Sequence, residues 1–369
     1  MNNRTEIIKT AEMIEQTEKE TSILCGFDGF VDEICHVVDK RQDIDSYTRI
    51  KTISDYAERI GRASKQSTNI ELITKQTRMG GNGPLLAAGM LNLGSTVFYI
   101  GALGKTKVHP IFSDFTQNTD QFISISDPGN TIALEFYDGK VMMGKMEQLK
   151  EVSWNNLAKQ LSETELKNIL KQADLVAVTN WTMLANLSSI LLILKQIIEK
   201  MDKKDRPAFF FDLADPNKRS ATDIAGILEF LSDLQVHTSV ILGMNNQESI
   251  AISDVLNISE AYIPERAGRI RSRLNLGGIV IHPINGAALA TKNGIWWQVG
   301  PYTETPKLTT GAGDKFNAGL CYAWLNGLSE QQCLIVATGM SGYYVRYGST
   351  PSKKGLVKFL HNWANEINI

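Results

Sequence analysis

Cysteine is scarce in this 369-residue chain, and the four that occur (Cys25, Cys35, Cys321 and Cys333) form no Cys-x-x-Cys pair. That excludes a zinc ribbon and a disulfide framework, and it suits reduced thiols within a cell. Long apolar runs are also missing. The longest, around Ile190 to Leu194, falls far short of the roughly 20 residues a membrane-spanning helix needs. From Met1 to about Glu20 the chain is charged and amphipathic, with no apolar signal region. Neither charge dominates: 38 Lys and Arg face 40 Asp and Glu, for a net charge of -2. No basic footprint is left for nucleic acid or an anionic membrane. Internal repeats, low-complexity tracts and Pro/Gly-rich linkers are lacking too, so a single domain spanning 1-369 and a cytoplasmic location are the expectation. Finally, no Gly-x-x-x-x-Gly-Lys-Ser/Thr loop exists, which excludes a P-loop nucleotide site.

What the chain has is 43% hydrophobic residues, enough for a sizeable core. They fall in short apolar runs that alternate with amphipathic stretches, the pattern of a doubly wound α/β sheet. Strands are expected at Ser22–Gly26, Thr96–Ile100, Leu175–Val178, Ala208–Phe211, Ser239–Leu242 and Gly278–Ile281. Helices are expected at Pro84–Leu93, Trp154–Lys171, Leu184–Glu199, Asp223–Leu234, Asn246–Ile252 and Pro264–Leu274. Right-handed crossovers put the carboxyl ends of the strands, and any ligand, along one edge of such a sheet. Two regions break this rhythm. Ile34–Tyr47 with Asn69–Arg78 is polar and β-prone, around a helix near Ser54–Ser64, and Tyr137-Asp138-Gly139 joins two alternating segments within residues 131-145 as a hairpin.

The densest chemistry lies in Thr309-Thr310-Gly311-Ala312-Gly313-Asp314-Lys315-Phe316-Asn317-Ala318-Gly319. Phe316, Leu320 and Trp324 recur every four residues, so a helix starts here and stops at Gly327. Gly311 and Gly313 permit a tight turn whose N–H groups converge at the positive end of that helix, a place for an anion. Asp314 at the junction is either an ordinary N-cap or a base for a substrate hydroxyl.

This string resembles the C-terminal motif of the PfkB (ribokinase-like) carbohydrate kinases. The resemblance covers about Ile23 to the C-terminal helix and implies a three-layer α/β/α sandwich with a small β-sheet lid, here segments 34-47, 69-78 and 131-145. It implies an ATP- and Mg²⁺-dependent kinase acting on a sugar hydroxyl, with Asp314 as base and the backbone of Gly311, Ala312, Gly313 and Asp314 as anion hole. Arg78-Met79-Gly80-Gly81-Asn82-Gly83-Pro84 resembles the family's Gly-Gly motif, so Gly80, Gly81 and Asn82 are substrate-binding candidates, although Leu85 stands where the family has Asn. The same Arg-Met-Gly-Gly is similar to ADP-dependent sugar kinases, which leaves ATP and ADP both open as donor. Asp28 and Asp32, beyond the first strand, are alternative sugar readers.

Asp215-Pro216-Asn217-Lys218-Arg219 resembles a stretch lining the phosphoryl-transfer cleft, with Arg219 as an anion clamp. Asn245 and Glu248 match the family's Asn-x-x-Glu, and Glu248 is expected to reach Mg²⁺ through water. The same four residues also read as a helix cap. Asn245, Thr310, Gly311, Gly313 and Gly286 are the nucleotide-binding candidates. Leu308 replaces the aspartate that serves a K⁺ site in the family, so independence from potassium is expected. His282 is expected to be structural. A homodimer paired through the lid is a further partner the resemblance allows. The alternatives are a nucleoside or other small-alcohol kinase on the same fold, and a non-catalytic sugar-sensing homologue.

Overall fold

The computed structural model describes residues 3–367; residues 1, 2, 368 and 369 of the expected domain lie outside the described residues. In chain order the strands are β1 (Ser22–Gly26), β2 (Phe30–Arg41), β3 (Tyr47–Arg49), β4 (Leu72–Gly80), β5 (Thr96–Gly101), β6 (Gln121–Ser124) and β7 (Gly129–Glu135). There follow β8 (Lys140–Lys145), β9 (Leu175–Thr179), β10 (Ala208–Asp212), β11 (Val240–Met244), β12 (Gly278–Ile281), β13 (Gly286–Thr291) and β14 (Gly294–Val299). Nine of them form one sheet in the order β14-β13-β12-β11-β10-β9-β1-β5-β6. It is parallel from β6 to β12 and ends in the antiparallel pairs β12/β13 and β13/β14.

Strand alternation splits the core into two layers. In β10, Phe209 and Phe211 pack among the helices Leu187–Lys200 and Ala221–Gln235 on one face. Phe210 packs on the other, with Ala312–Leu325 and Glu330–Tyr347. Period two in the strands therefore serves two buried faces, which is why they read as unbroken apolar runs. One expected helix is in fact two: Trp154–Leu157 stops, and Ser162 with Glu165 makes a reciprocal capping box that starts Glu163–Gln172. That signal restarts the helix and outweighs the continuing periodicity.

The remaining strands form the lid, with β3, β2, β7 and β8 in order and β4 along β2. β2 begins at Phe30 and β4 runs on to Gly80, so Asp32 and Gly80 are lid-strand residues. Across the antiparallel pair Asp32 faces Arg78 and Phe30 faces Gly80. The lid has a small apolar core of its own, built from Cys35, Val37, Ile50, Leu134 and Phe136, with Tyr56 of the helix Ile53–Arg62 packed against it. Leu134 and Thr131 point to opposite faces of β7, so this helix lies on the side away from Thr131.

Candidate active site

The helix Ala312–Leu325 begins after Gly311, whose φ of 92° is left-handed and whose added Cβ would lie 3.1 Å from both Leu85 and the Tyr344 hydroxyl. Glycine is required there for conformation and for space. The turn leaves the N–H groups of Gly311, Gly313 and Asp314 without a hydrogen-bond partner among the described residues. The Ala312 N–H, expected to belong to the anion hole, instead donates to the Thr309 carbonyl at 3.1 Å. Asp314 sits in the first turn, 6% exposed, and its Oδ1 accepts from the Asn82 amide at 2.8 Å. Burial, then the Asp212 charge, push its carboxyl well above the usual range, while Asn82 and Lys315 pull the other way. Such a carboxylate holds a proton more tightly than a surface aspartate, which suits a base.

Two expected sugar readers separate here. Asp28 is fully buried; its oxygens accept from the Asn82 N–H at 2.9 Å, the Gly83 N–H at 2.8 Å and the Asn180 side chain at 2.7 Å. It organises the Gly-Gly turn from beneath and does not line the cleft. Asp32 does line it, beside Asn82 and Thr131. Its carboxylate fills the place where a Cβ on Gly80 would sit, 2.4 Å away, so Gly80 is glycine to admit Asp32. Gly81, with φ of 97°, caps the helix Asn82–Asn92 and also borders the cleft.

A second acidic group lies at the carboxyl ends of β10 and β11. Asp212 accepts from Asn317 at 2.6 Å and from the Ala214 N–H at 2.9 Å; burial and then the Glu248 charge raise its carboxyl to about 7. Glu248 forms the capping box with Asn245 and also accepts the Asp215 N–H at 2.8 Å. Burial raises it too. Ala214 and Asp215 both have positive φ, 56° and 58°, a conformation costing roughly 1 kcal/mol or more per non-glycine residue. The two carboxylates hold those N–H groups and so fix the loop in this strained form.

These groups border two connected spaces. A cleft of about 400 Å³ beneath the lid is lined by Asp32, Asn82, Asn180, Asp212, Glu248 and Asp314, with Phe30, Leu85, Met142 and Met183 supplying apolar surface. A cavity of about 580 Å³ beside it is lined by Gly286, Tyr302, Thr309, Phe316 and Ser341. Asn245, His282 and Gly313 line both. A Cβ on Gly313 would meet only His282, at 3.5 Å, so no packing demands this glycine and its bareness keeps the junction open. Burial lowers the His282 imidazole to about 4, and its ring tilts on Phe316 at 4.6 Å. Expected to be structural, His282 stands at the junction of the two spaces.

Of the expected nucleotide-binding residues, Gly286, at the start of β13, lines the adjoining cavity, whereas Thr310 lines the cleft. Arg219 does not. Its guanidinium donates to the carbonyls of Thr182 at 2.9 Å and Trp181 at 3.2 Å and lies over the Trp181 ring. Its guanidinium is taken up by these contacts and lies outside the cleft lining, and the anion-clamp expectation is corrected on that ground. Asp212, Asn180, Asn317 and Thr131 were missed. Only Asp212 had a local signal, a carboxylate ending the buried run Phe209–Phe211 at the sheet edge where ligands gather.

The chain matches the family model described as prokaryotic ketohexokinase over residues 2–363. A ketohexokinase of Haloferax volcanii is 27% identical over 339 residues, covering 91% of this chain and 90% of that protein. Among solved structures, Arabidopsis thaliana ribokinase complexed with ribose and ATP superposes with a TM-score of 0.64 at 16% identity, covering 93% of this chain and 99% of that one. A Methanocaldococcus jannaschii nucleoside kinase of the ribokinase family superposes with a TM-score of 0.61 at 15% identity, covering 94% of this chain and 100% of its own. These solved structures share the fold, and the full-length family match goes further: the chain belongs to the prokaryotic ketohexokinases, carbohydrate kinases on the ribokinase-like PfkB scaffold.

Proposed function

We propose that the chain transfers the terminal phosphoryl group of ATP to a hydroxyl of a ketohexose, with Asp314 as base. The carrying observation is that Asp314, next to the open N–H groups of Gly313 and Gly311, stands where the sugar-sized cleft meets the adjoining cavity. The acceptor lies in the cleft, with its hydroxyls on Asp32 and Asn82. The nucleotide lies in the cavity, its phosphates entering past Gly313. As the acceptor oxygen bonds to the γ-phosphorus, its proton passes to the Asp314 carboxylate and the bond to the β-phosphate oxygen breaks, releasing ADP. Charge on the transferred group falls on the N–H groups of the turn.

Among the described residues no group of three or more His, Cys, Asp or Glu side chains is arranged to hold a metal by itself. Mg²⁺ asks for less, since it keeps several waters and takes one or two carboxylates beside the phosphates. Asp212 and Glu248 offer that donor set, two buried carboxylates both raised by burial, with the Glu248 charge raising Asp212 further. They would hold Mg²⁺, which when bound would neutralise phosphate charge.

Nucleotide turnover is to be assayed with ketohexoses, aldohexoses, ribose and nucleosides, each with ATP and ADP as donor. Turnover highest with ATP and a ketohexose is expected. Preference for a nucleoside, or turnover independent of any acceptor, would refute the assignment.

A further inference from the structure

Lys315 follows the base directly, yet it is only 1% exposed and among the largest fully buried side chains. Burial pulls its ammonium down to about 8, with Asp314 opposing. A lysine is seldom placed so without a task, because desolvating its charge costs several kcal/mol. Its surroundings show what it does. Nζ donates to the carbonyl of Leu85, in the helix Asn82–Asn92, 230 residues away in sequence. It also lies over the Tyr344 ring, 5.8 Å from the centroid. The Tyr344 hydroxyl in turn donates to the Thr310 carbonyl at 3.0 Å, inside the glycine turn. The stem of the lysine passes Gly89, where an added Cβ would lie 3.7 Å from Lys315 Cδ and 2.5 Å from the Ala318 Cβ. The Gly89 backbone thus packs against the Ala318 side chain, with the ammonium bonded to the first turn of the facing helix.

We propose that Lys315 is a positioning residue, which from behind the glycine turn ties the acceptor-side helix to the helix bearing Asp314. The tie fixes the Asn82 amide on the Asp314 carboxylate and, through Tyr344, the course of the turn at Thr310. An acceptor held by Asn82 is thereby kept at reacting distance from the base, where a displacement of about 1 Å costs roughly a hundredfold in rate. The charged and titratable groups around this joint are Asp314 itself, Asp212 and Asp28 acting on it, and Tyr344 with Arg78 and Asp32 acting on that ring. The inference rests on the kinase reading of the site.

Lys315→Met keeps the length and apolar stem and removes the donor and the charge. Replacing a buried ion by an apolar residue of similar volume is often neutral for stability, so a folded variant is expected. In it kcat should fall about tenfold or more and the sugar KM should rise, while nucleotide affinity measured without sugar stays within about threefold. Lys315→Gln restores a donor and should recover part of kcat. Equal kcat and KM in folded Lys315→Met would overturn the proposal. So would a parallel loss of nucleotide affinity, or failure of both variants to fold, either of which marks a purely structural lysine. Absence of sugar-dependent turnover in the unmodified chain would instead sink the kinase reading.

Discussion

Replacing Asp314 by asparagine removes a proton acceptor and little else. Asparagine has the same shape, and its oxygen can still take the Asn82 amide hydrogen bond of 2.8 Å. What is lost is general-base assistance, worth about 10²- to 10⁴-fold, or roughly 3–5 kcal/mol of barrier. Stability should move the other way. The Asp314 carboxyl is raised well above 3.8 in the fold by burial and by Asp212, so the folded chain binds its proton more tightly than the unfolded chain. The sign is then fixed: as pH rises from about 4 towards the folded value, the wild type loses stability that the asparagine variant does not. At neutral pH the variant is at least as stable. Sugar-dependent nucleotide turnover gives the rate, and thermal melts at several pH values give the linkage. For the wild type, kcat/KM should also fall on the acid side at a pH above the usual carboxylate range. Normal turnover by Asp314→Asn, or a variant less stable at neutral pH, would refute the assignment of Asp314 as a buried base.

The two aspartates beyond β1 should behave oppositely. Asp32→Ala should raise the sugar KM about tenfold or more through loss of a charged acceptor, with a melting temperature near that of wild type. Asp28→Ala strands three donors and should cost about 3 kcal/mol or more, seen as a large drop in melting temperature; the reverse pattern would return Asp28 to the cleft. With Leu308 supplying no carboxylate, rates in sodium, potassium and a bulky organic cation at equal ionic strength should agree within about a factor of two, and a selective rise with potassium would contradict this.

Six strands of the main sheet and the helix after Gly311 were legible because each carries its own pattern, apolar runs of strand length or a four-residue stripe behind a glycine turn, whereas the edge strands β6, β13 and β14 were not expected. The choice between Asp28 and Asp32 was not. It depends on β2 starting at Phe30 and pairing with β4, which sets Asp32 on the cleft face against Gly80. Arg219 carried a local likeness, yet its guanidinium is held by the Thr182 and Trp181 carbonyls and the Trp181 ring, partners some 37 residues away that no local pattern announces. Asp212 owes its role to Asn317, 105 residues onward, and to Glu248. The burial of Lys315 depends on the close approach of the helix bearing Gly89, a contact between distant parts of the chain.

The residues that cement the lid, Cys35, Val37, Ile50, Leu134 and Phe136, belong to neither core of the body. Changes there act on stability largely independently of changes around Asp314, since distant sites with no shared partners add nearly independently. Over generations the roof above the sugar can be reshaped while the phosphoryl-transferring frame stays unaltered. A lineage of such chains can acquire new diets by redecorating β2, β7 and β8, and a grafted lid is the natural unit for an engineer to exchange.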